Sequence, residues 1–157
     1  MNSIKCTFIS ENSLETREYI SSLELNLNLE DQWSLLKPNS VGSYTKAFFR
    51  IKTKENTTKY YILDNVFITY INNEINITYR GCFRSYLQIK NSNSFIMQNE
   101  AKLKTLLTDL KYYKSCKQLS VDNLNKIAIY KLENEIFILK AITLFNLNPE
   151  ESKCAEN

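Results

Sequence analysis

Apolar and polar residues alternate along much of the chain from residue 4 to residue 90, a period of two that predicts β-strands. The clearest case is residues 24–29, where Leu25, Leu27 and Leu29 fall on one face of a strand. Further runs of β-branched and aromatic residues, bounded by short polar turns, predict strands over residues 4–8, 46–53, 58–63, 66–71, 75–79 and 83–89.

Two segments carry the signs of a helix instead. Ser13 precedes the acidic residues Glu15 and Glu18, and this combination of a cap with a negatively charged first turn predicts a short N-terminal helix. From about residue 99 to residue 114, apolar residues recur at spacings of three and four, which predicts a long amphipathic helix. Its apolar positions are Leu103, Leu106, Leu107, Leu110 and Tyr113.

The last apolar segments return to a β-like texture. Residues 127–132 and 136–145 flank the polar tripeptide 133–135, and we expect them to form a final hairpin. Residues 146–157 are mostly polar and acidic, so they are predicted to be a frayed tail.

These elements predict the α+β class, with antiparallel hairpins that form one sheet or a small barrel, one long helix at 99–114 and a short N-terminal helix. We expect a single domain over residues 1–157, composed of an acidic N-terminal subregion (1–40), a β-rich body (44–145) and the tail. The order of several strands, one helix and two strands resembles the five-stranded Greek-key barrel of the OB-fold.

Composition supports a folded protein and indicates its origin. Apolar residues make up 43% of the 157 positions and charged residues 24%, which is typical of a globular chain. Asparagine, lysine and isoleucine are abundant, whereas there are only two glycines and two prolines. This bias follows A/T-rich codons and indicates a virus, a phage, a mobile element or another AT-rich genome, so the lysine excess is not by itself a functional signal.

No apolar run approaches the roughly 20 residues that cross a bilayer, and the first residues do not resemble a signal peptide. We therefore expect no membrane association and an intracellular location, in the cytoplasm or, for a viral protein, in the host cytoplasm or nucleus. Four cysteines stand singly along the chain, which predicts reduced thiols and not a zinc site.

The residue types exclude several classes of enzyme. The chain has no histidine, which rules out Ser-His and Cys-His mechanisms and histidine metal ligands. Two glycines cannot build a glycine-rich phosphate loop. We predict no catalytic residue, no metal ligand and no cofactor, with a carboxylate-metal-dependent nuclease or hydrolase as the second alternative.

Charge is distributed unevenly. Residues 1–40 have three basic and six acidic side chains, residues 41–131 have fifteen and six, and residues 132–157 have two and five, so net charges of −3, +9 and −3 follow one another. In the basic middle, cations share predicted strand faces with aromatic rings, an arrangement that holds single-stranded nucleic acid. We name Phe48, Arg50, Lys52, Arg80, Arg84, Tyr86 and Lys90 the basic strand surface. The same pattern is also typical of an ordinary solvent-facing sheet.

The competing hypothesis is a protein-interaction module. Trp33 and Tyr44 flank the loop-like segment around residues 37–42 and are the candidate contacts for a protein partner, either a host protein or a complex subunit. Acidic ends and a basic middle leave a homo-oligomer open. The sequence thus predicts a non-enzymatic binding protein, a small accessory or interaction module that acts through a protein partner, with single-stranded nucleic acid as the alternative ligand.

Overall fold

The computed structural model describes residues 3–90, 93–119 and 123–153. The chain divides into two compact units. We call them the barrel unit, which comprises Met1–Gln88 and Asn148–Asn157, and the helical unit, which comprises Ile89–Leu147.

The described residues form eight strands and two helices. The strands are β1 (Ile4–Ser10), β2 (Glu15–Asn26), β3 (Ser34–Leu35), β4 (Ser40–Thr53), β5 (Thr58–Ile71), β6 (Glu74–Arg80), β7 (Phe83–Gln88) and β8 (Leu147–Lys153). The helices are α1 (Asn93–Leu119) and α2 (Asn123–Phe145).

Five of the strands close into a barrel. The pairs β1–β2, β2–β4, β4–β5 and β5–β6 are antiparallel, and a parallel pairing of β6 with β1 completes the ring. The remaining strands extend the sheet, because β3 pairs with β2, β7 with β5 and β8 with β7. The prediction of an α+β fold with a mainly antiparallel sheet or small barrel is confirmed.

The barrel interior is filled by apolar side chains from alternate positions of its strands. At its centre Phe8 lies against Tyr61, with ring centroids 4.9 Å apart, and Tyr61 stacks on Phe49 at 5.3 Å. Phe83 of β7 meets Phe8 edge-on at 5.5 Å. Offset and edge-on contacts of this kind add stability beyond the burial of their area.

The structure replaces the predicted N-terminal helix with strand β2. Ser13 does not cap a helix; it has a positive φ of 60° and lies in the turn between β1 and β2. In that turn the Ser10 hydroxyl accepts a hydrogen bond from the Leu14 N–H. The residues that follow the turn pair with β1 from Ile4 to Ile9, so long-range pairing overrides the local capping signal.

Strands β4 and β5 both change their inward face near one point. The pairing passes from Tyr44↔Val66 to Lys46↔Asp64, which leaves Thr45 and Asn65 unpaired. Asn65 has φ 48°, a conformation that asparagine tolerates. The predicted turn at 64–65 is therefore an irregularity inside one continuous strand, and from this point the odd-numbered residues of β5 face outward.

Gly42 allows a close approach beside that irregularity. The Tyr44 ring packs against the barrel core, and a methyl group added at Gly42 would lie 2.7 Å from one ring carbon and from the hydroxyl oxygen of Tyr44. The glycine thus leaves space that the tyrosine side chain fills.

The helical unit consists of α1 and α2. Leu106, Ile136 and Leu139 form a buried cluster within it, and Leu103, Leu110 and Leu132 pack against them. The long helix predicted at 99–114 is confirmed within α1, which extends it at both ends. The predicted hairpin over 127–145 is wrong, since these residues form α2. Neither helix has a stretch in the described part of the chain that is long and apolar enough to span a membrane.

Three further predictions need correction. Both helices follow the five barrel strands, which are joined in sequence order, so the Greek-key order of the OB-fold does not apply. Residues 147–153 of the predicted tail form β8, and 154–157 lie outside the described residues. Cys6 and Cys116 form no disulfide, as predicted, but Cys82 is disulfide-bonded; Cys154 lies outside the described residues.

Replacing Gly42 with alanine should destabilise the barrel, because the new methyl group would displace the Tyr44 ring from the core. We expect Gly42→Ala to lower the free energy of unfolding by about 1–3 kcal/mol, measured by urea denaturation. Ser43→Ala, at the exposed neighbouring position, is the matched control and should change it by less than about 0.5 kcal/mol. Equal stability of the two variants would contradict the close-packing argument.

Candidate functional site

The basic strand surface does not form an open aromatic platform. Phe48 is only 1% exposed, and its ring packs against Trp33 at 5.2 Å and against Tyr60 at 6.3 Å. Tyr86, which lies opposite Tyr60 on the neighbouring strand, is also buried, and this burial raises its pKa. Neither Phe48 nor Tyr86 presents a free face on which a base can stack.

The cations nearest these rings are paired with carboxylates. Glu24 of β2 faces Arg50 across the sheet and accepts a hydrogen bond from its guanidinium, while Lys52 lies 3.6 Å from the other Glu24 oxygen. The Arg50 guanidinium also lies 4.2 Å from the centre of the Trp33 ring. These contacts occupy the charges that the nucleic-acid hypothesis assigned to phosphates.

A second group of charges is centred on Asp64. Its two carboxylate oxygens bind different cations, Lys46 at 2.9 Å and Arg84 at 3.0 Å. Arg80 lies opposite Asp64 on β6, and its side chain is exposed. Gly81 follows with φ 82°, ends β6 and separates Arg80 from the strand of Arg84. Lys90 is exposed and belongs to the helical unit, so the seven predicted residues do not lie on one strand face.

The two residues predicted to contact a protein partner are both partly buried. Trp33 covers Phe48 and Tyr60 and also lies against Arg50, so it serves as a cover for this part of the barrel surface. Tyr44 packs inward on the barrel core. The structure thus gives each of them a packing role, and neither is a prominent exposed side chain.

A polar cluster lies inside the barrel unit, and no sequence pattern indicated it. The Glu18 carboxylate accepts a hydrogen bond from the Tyr61 hydroxyl at 3.1 Å and lies 3.4 Å from the Lys59 ammonium. Cys6 is opposite Glu18 on β1 and is completely buried. The cluster was missed because Glu18 was assigned to a helix, whereas in β2 it pairs with a core strand.

The protonation states of this cluster favour a structural role. Burial, and secondly the Glu18 charge, raise the pKa of Cys6 from 9.0 to about 12. The same two causes raise the pKa of Tyr61 well above its ordinary value of 10.0. Both groups therefore keep their protons at neutral pH, and neither is an activated nucleophile or base. Within the described ranges no three His, Cys, Asp or Glu residues come together as a potential metal site.

The outer face of the barrel carries three exposed apolar side chains close together. Val41 of β4 is 60% exposed, and Phe67 and Ile71 of β5 are 45% and 48% exposed. Val41 is opposite Thr69, which places it diagonally between the other two on the same face. We call Val41, Phe67 and Ile71 the apolar strip. The strand predicted over residues 66–71 has apolar residues on both faces, and this was the sequence signal for the strip.

Comparison with known proteins identifies the barrel segment. A family model described as the UU051 N-terminal domain matches residues 3–84, more than half of the chain. The matched segment contains all five strands of the closed barrel. No curated protein matches the chain.

The buried thiol of Cys6 should make the protein less stable in alkali. Below pH 9 the thiol is protonated in both states; between pH 9 and 12 it loses its proton only in the unfolded chain, so stability falls as the pH rises. Between pH 8 and pH 10 the wild type should lose about 1 kcal/mol more of its free energy of unfolding than Cys6→Ala does. Urea denaturation at each pH measures this difference.

The two proteins are compared by how their free energies of unfolding change with pH and not by the absolute values, because Cys6→Ala also leaves a cavity. Between pH 6 and pH 8 the two proteins should show the same dependence on pH. Parallel curves up to pH 10 would show that the thiol does not stay protonated in the fold.

Proposed function

The chain belongs to the UU051 N-terminal domain family, and we propose that its barrel is a non-enzymatic module that binds a partner protein through the apolar strip. The observation that carries this proposal is the exposure of Val41, Phe67 and Ile71 side by side on one barrel face. Adjacent exposed apolar side chains are typical of protein-binding surfaces, whereas isolated ones need no explanation.

The strand pairing supports a particular mode of docking. At the strip, β4 is paired with β5, and β5 is paired with both β4 and β6. The backbone groups of β5 are therefore used within the barrel, and a partner cannot add a strand beside it. Beside β5, contact must therefore come from side chains, with the partner's apolar residues packing across the β4–β5 surface.

The polar surroundings of the strip suit a rim. Thr69 separates Phe67 from Ile71 on β5, and Asn76 and Thr78 follow on the adjacent strand β6. Glu74, opposite Ile71, is already paired with Lys5 at 3.0 Å. A small apolar centre with a hydrogen-bonding border is the usual composition of a non-obligate protein interface.

The proposal also covers the origin of the protein and the place where it meets its partner. The A/T-biased residue usage supports an accessory protein of a virus, a phage, a mobile element or another AT-rich genome. The partner is then a host protein or a subunit of a complex, met inside the cell. A homo-oligomer stays a prediction.

Charged substitutions in the strip should abolish partner binding without unfolding the barrel. Aspartate at Val41 and Phe67 would place two unpaired charges in the interface, so the Val41→Asp/Phe67→Asp variant should lose at least tenfold in affinity. The measurement is a quantitative pull-down by tagged protein from its native cell, followed by titration of the recovered partner. Circular dichroism of each variant verifies that the fold is retained.

Leu14→Asp is the matched control, since Leu14 is 71% exposed in the β1–β2 turn, outside the strip. The control should bind like the wild type. A partner whose affinity is unchanged by the double substitution would contradict docking on the strip.

A labelled single-stranded oligonucleotide tests the alternative ligand. Because the rings are buried and Arg50, Lys52 and Arg84 have carboxylate partners, we expect no binding whose affinity falls steeply with added salt. Fluorescence anisotropy at low salt measures this. Salt-sensitive binding that is weakened by Arg50→Gln and Lys52→Gln would instead favour nucleic acid over a protein partner.

A further inference from the structure

Arg80 differs from the other arginines in its charge environment. The chain has four arginines, and three of them pair with carboxylates: Arg17 with Glu15, Arg50 with Glu24 and Arg84 with Asp64. The Arg80 guanidinium makes no ion pair or hydrogen bond with any residue that the structure describes.

The reason lies in how Asp64 is occupied. Arg80 is directly opposite Asp64 in the β5–β6 pairing, which makes this carboxylate its natural partner. However, one Asp64 oxygen already binds Lys46 and the other binds Arg84. Three cations therefore surround one carboxylate, and the exposed guanidinium of Arg80 is left to bind another anion.

Arg80 lines a hollow of about 280 Å³ at the irregularity between β4 and β5. The unpaired Thr45 and Asn65 open the ladder there and bring hydrogen-bonding groups to the surface. The lining residues are Ser43, Tyr44, Thr45, Asn65, Val66, Phe67 and Arg80. Hydroxyl groups, an amide and a guanidinium are all suitable donors to an anion, and no described carboxylate lines the hollow.

Arg80 also lines a second hollow, which is less suitable for an anion. This hollow, of about 330 Å³, is lined by Glu11 as well, whose negative charge would repel an anion. The first hollow is below the roughly 300–1,000 Å³ of sites for drug-sized ligands, so it fits a single head group and not a whole small molecule.

We propose that Arg80 and this hollow bind a phosphate or carboxylate group of the partner protein, an inference that rests on the proposed function of the apolar strip. Phe67 connects the two surfaces, because it belongs to the strip and also lines the hollow. The partner segment then presents an anionic group to Arg80 and apolar side chains to Phe67 and Val41. The planar guanidinium binds either anion with two parallel hydrogen bonds.

The test is a nuclear magnetic resonance titration of the full chain with inorganic phosphate and, separately, with acetate. We expect saturable shifts of the Arg80 side-chain N–H and of the Thr45 and Asn65 amides, with sodium chloride of equal ionic strength as the reference. Arg80→Gln should weaken the response at least tenfold, and Arg80→Lys should retain part of it because the charge remains. Arg17→Gln, which alters an exposed paired arginine of the same unit, should titrate like the wild type.

The stronger of the two anions identifies the partner group, a phosphorylated side chain or a carboxylate. Shifts that chloride reproduces, or that persist in Arg80→Gln, would overturn the anion site. The experiment needs no partner, so its failure is distinct from failure of strip docking. Once the partner is in hand, Arg80→Gln should reduce its affinity at least tenfold; unchanged affinity would refute the role of Arg80 in docking.

Discussion

An odd number of strands cannot close into a ring with every neighbour antiparallel, and the parallel pairing of β1 with β6 is the exception that allows this five-stranded barrel to form. That pairing joins Lys5 to Glu74 and places Cys6 and Phe8 inside. This pairing also limits how a ligand can contact the outer surface of the barrel. Once the ring is closed, the middle of β5 has a partner on each side, so a ligand at this face meets side chains and not free backbone groups.

The closed ring also determines the chemistry of its interior. A barrel of this size must be filled by side chains, and Tyr61 does so with a ring that contacts Phe8 and Phe49. Its hydroxyl group then needs a partner, because a buried polar group without a hydrogen bond is costly. Glu18 accepts that bond near Lys59. The cluster resembles a catalytic group in composition, but its thiol and hydroxyl groups hold their protons, so it completes the packing of the core.

The sequence predicted those elements whose local pattern agrees with their tertiary setting. The strands from residue 46 to residue 88 and helix α1 were found because their periods of two and of three to four are unambiguous. β2 was missed because the cap-like Ser13 lies in a hairpin turn. α2 was missed because it is apolar on several sides, so its residues match either period, and only its length without glycine or proline argued for a helix.

The candidate sites depended more on distant neighbours than the elements did. Sequence alternation correctly put Phe48, Arg50 and Lys52 on one face, but could not show that Trp33 covers that face or that Glu24 lies across from Arg50. The exposure of the apolar strip depended on the change of inward face at Thr45 and Asn65. A single unpaired residue in a strand reverses which side chains point out, and no local period reveals it.

Folding balances part of the charge segregation along the chain. The acidic first forty residues supply Glu18 and Glu24, and folding places these beside Lys59, Arg50 and Lys52 of the basic middle. Cross-strand pairing thus balances these charges locally. Arg80 is an exception. It lies at the end of β6, which is paired with β1 and β5, and it faces the Asp64 carboxylate, which Lys46 and Arg84 already occupy. The charge of Arg80 therefore remains available to a ligand.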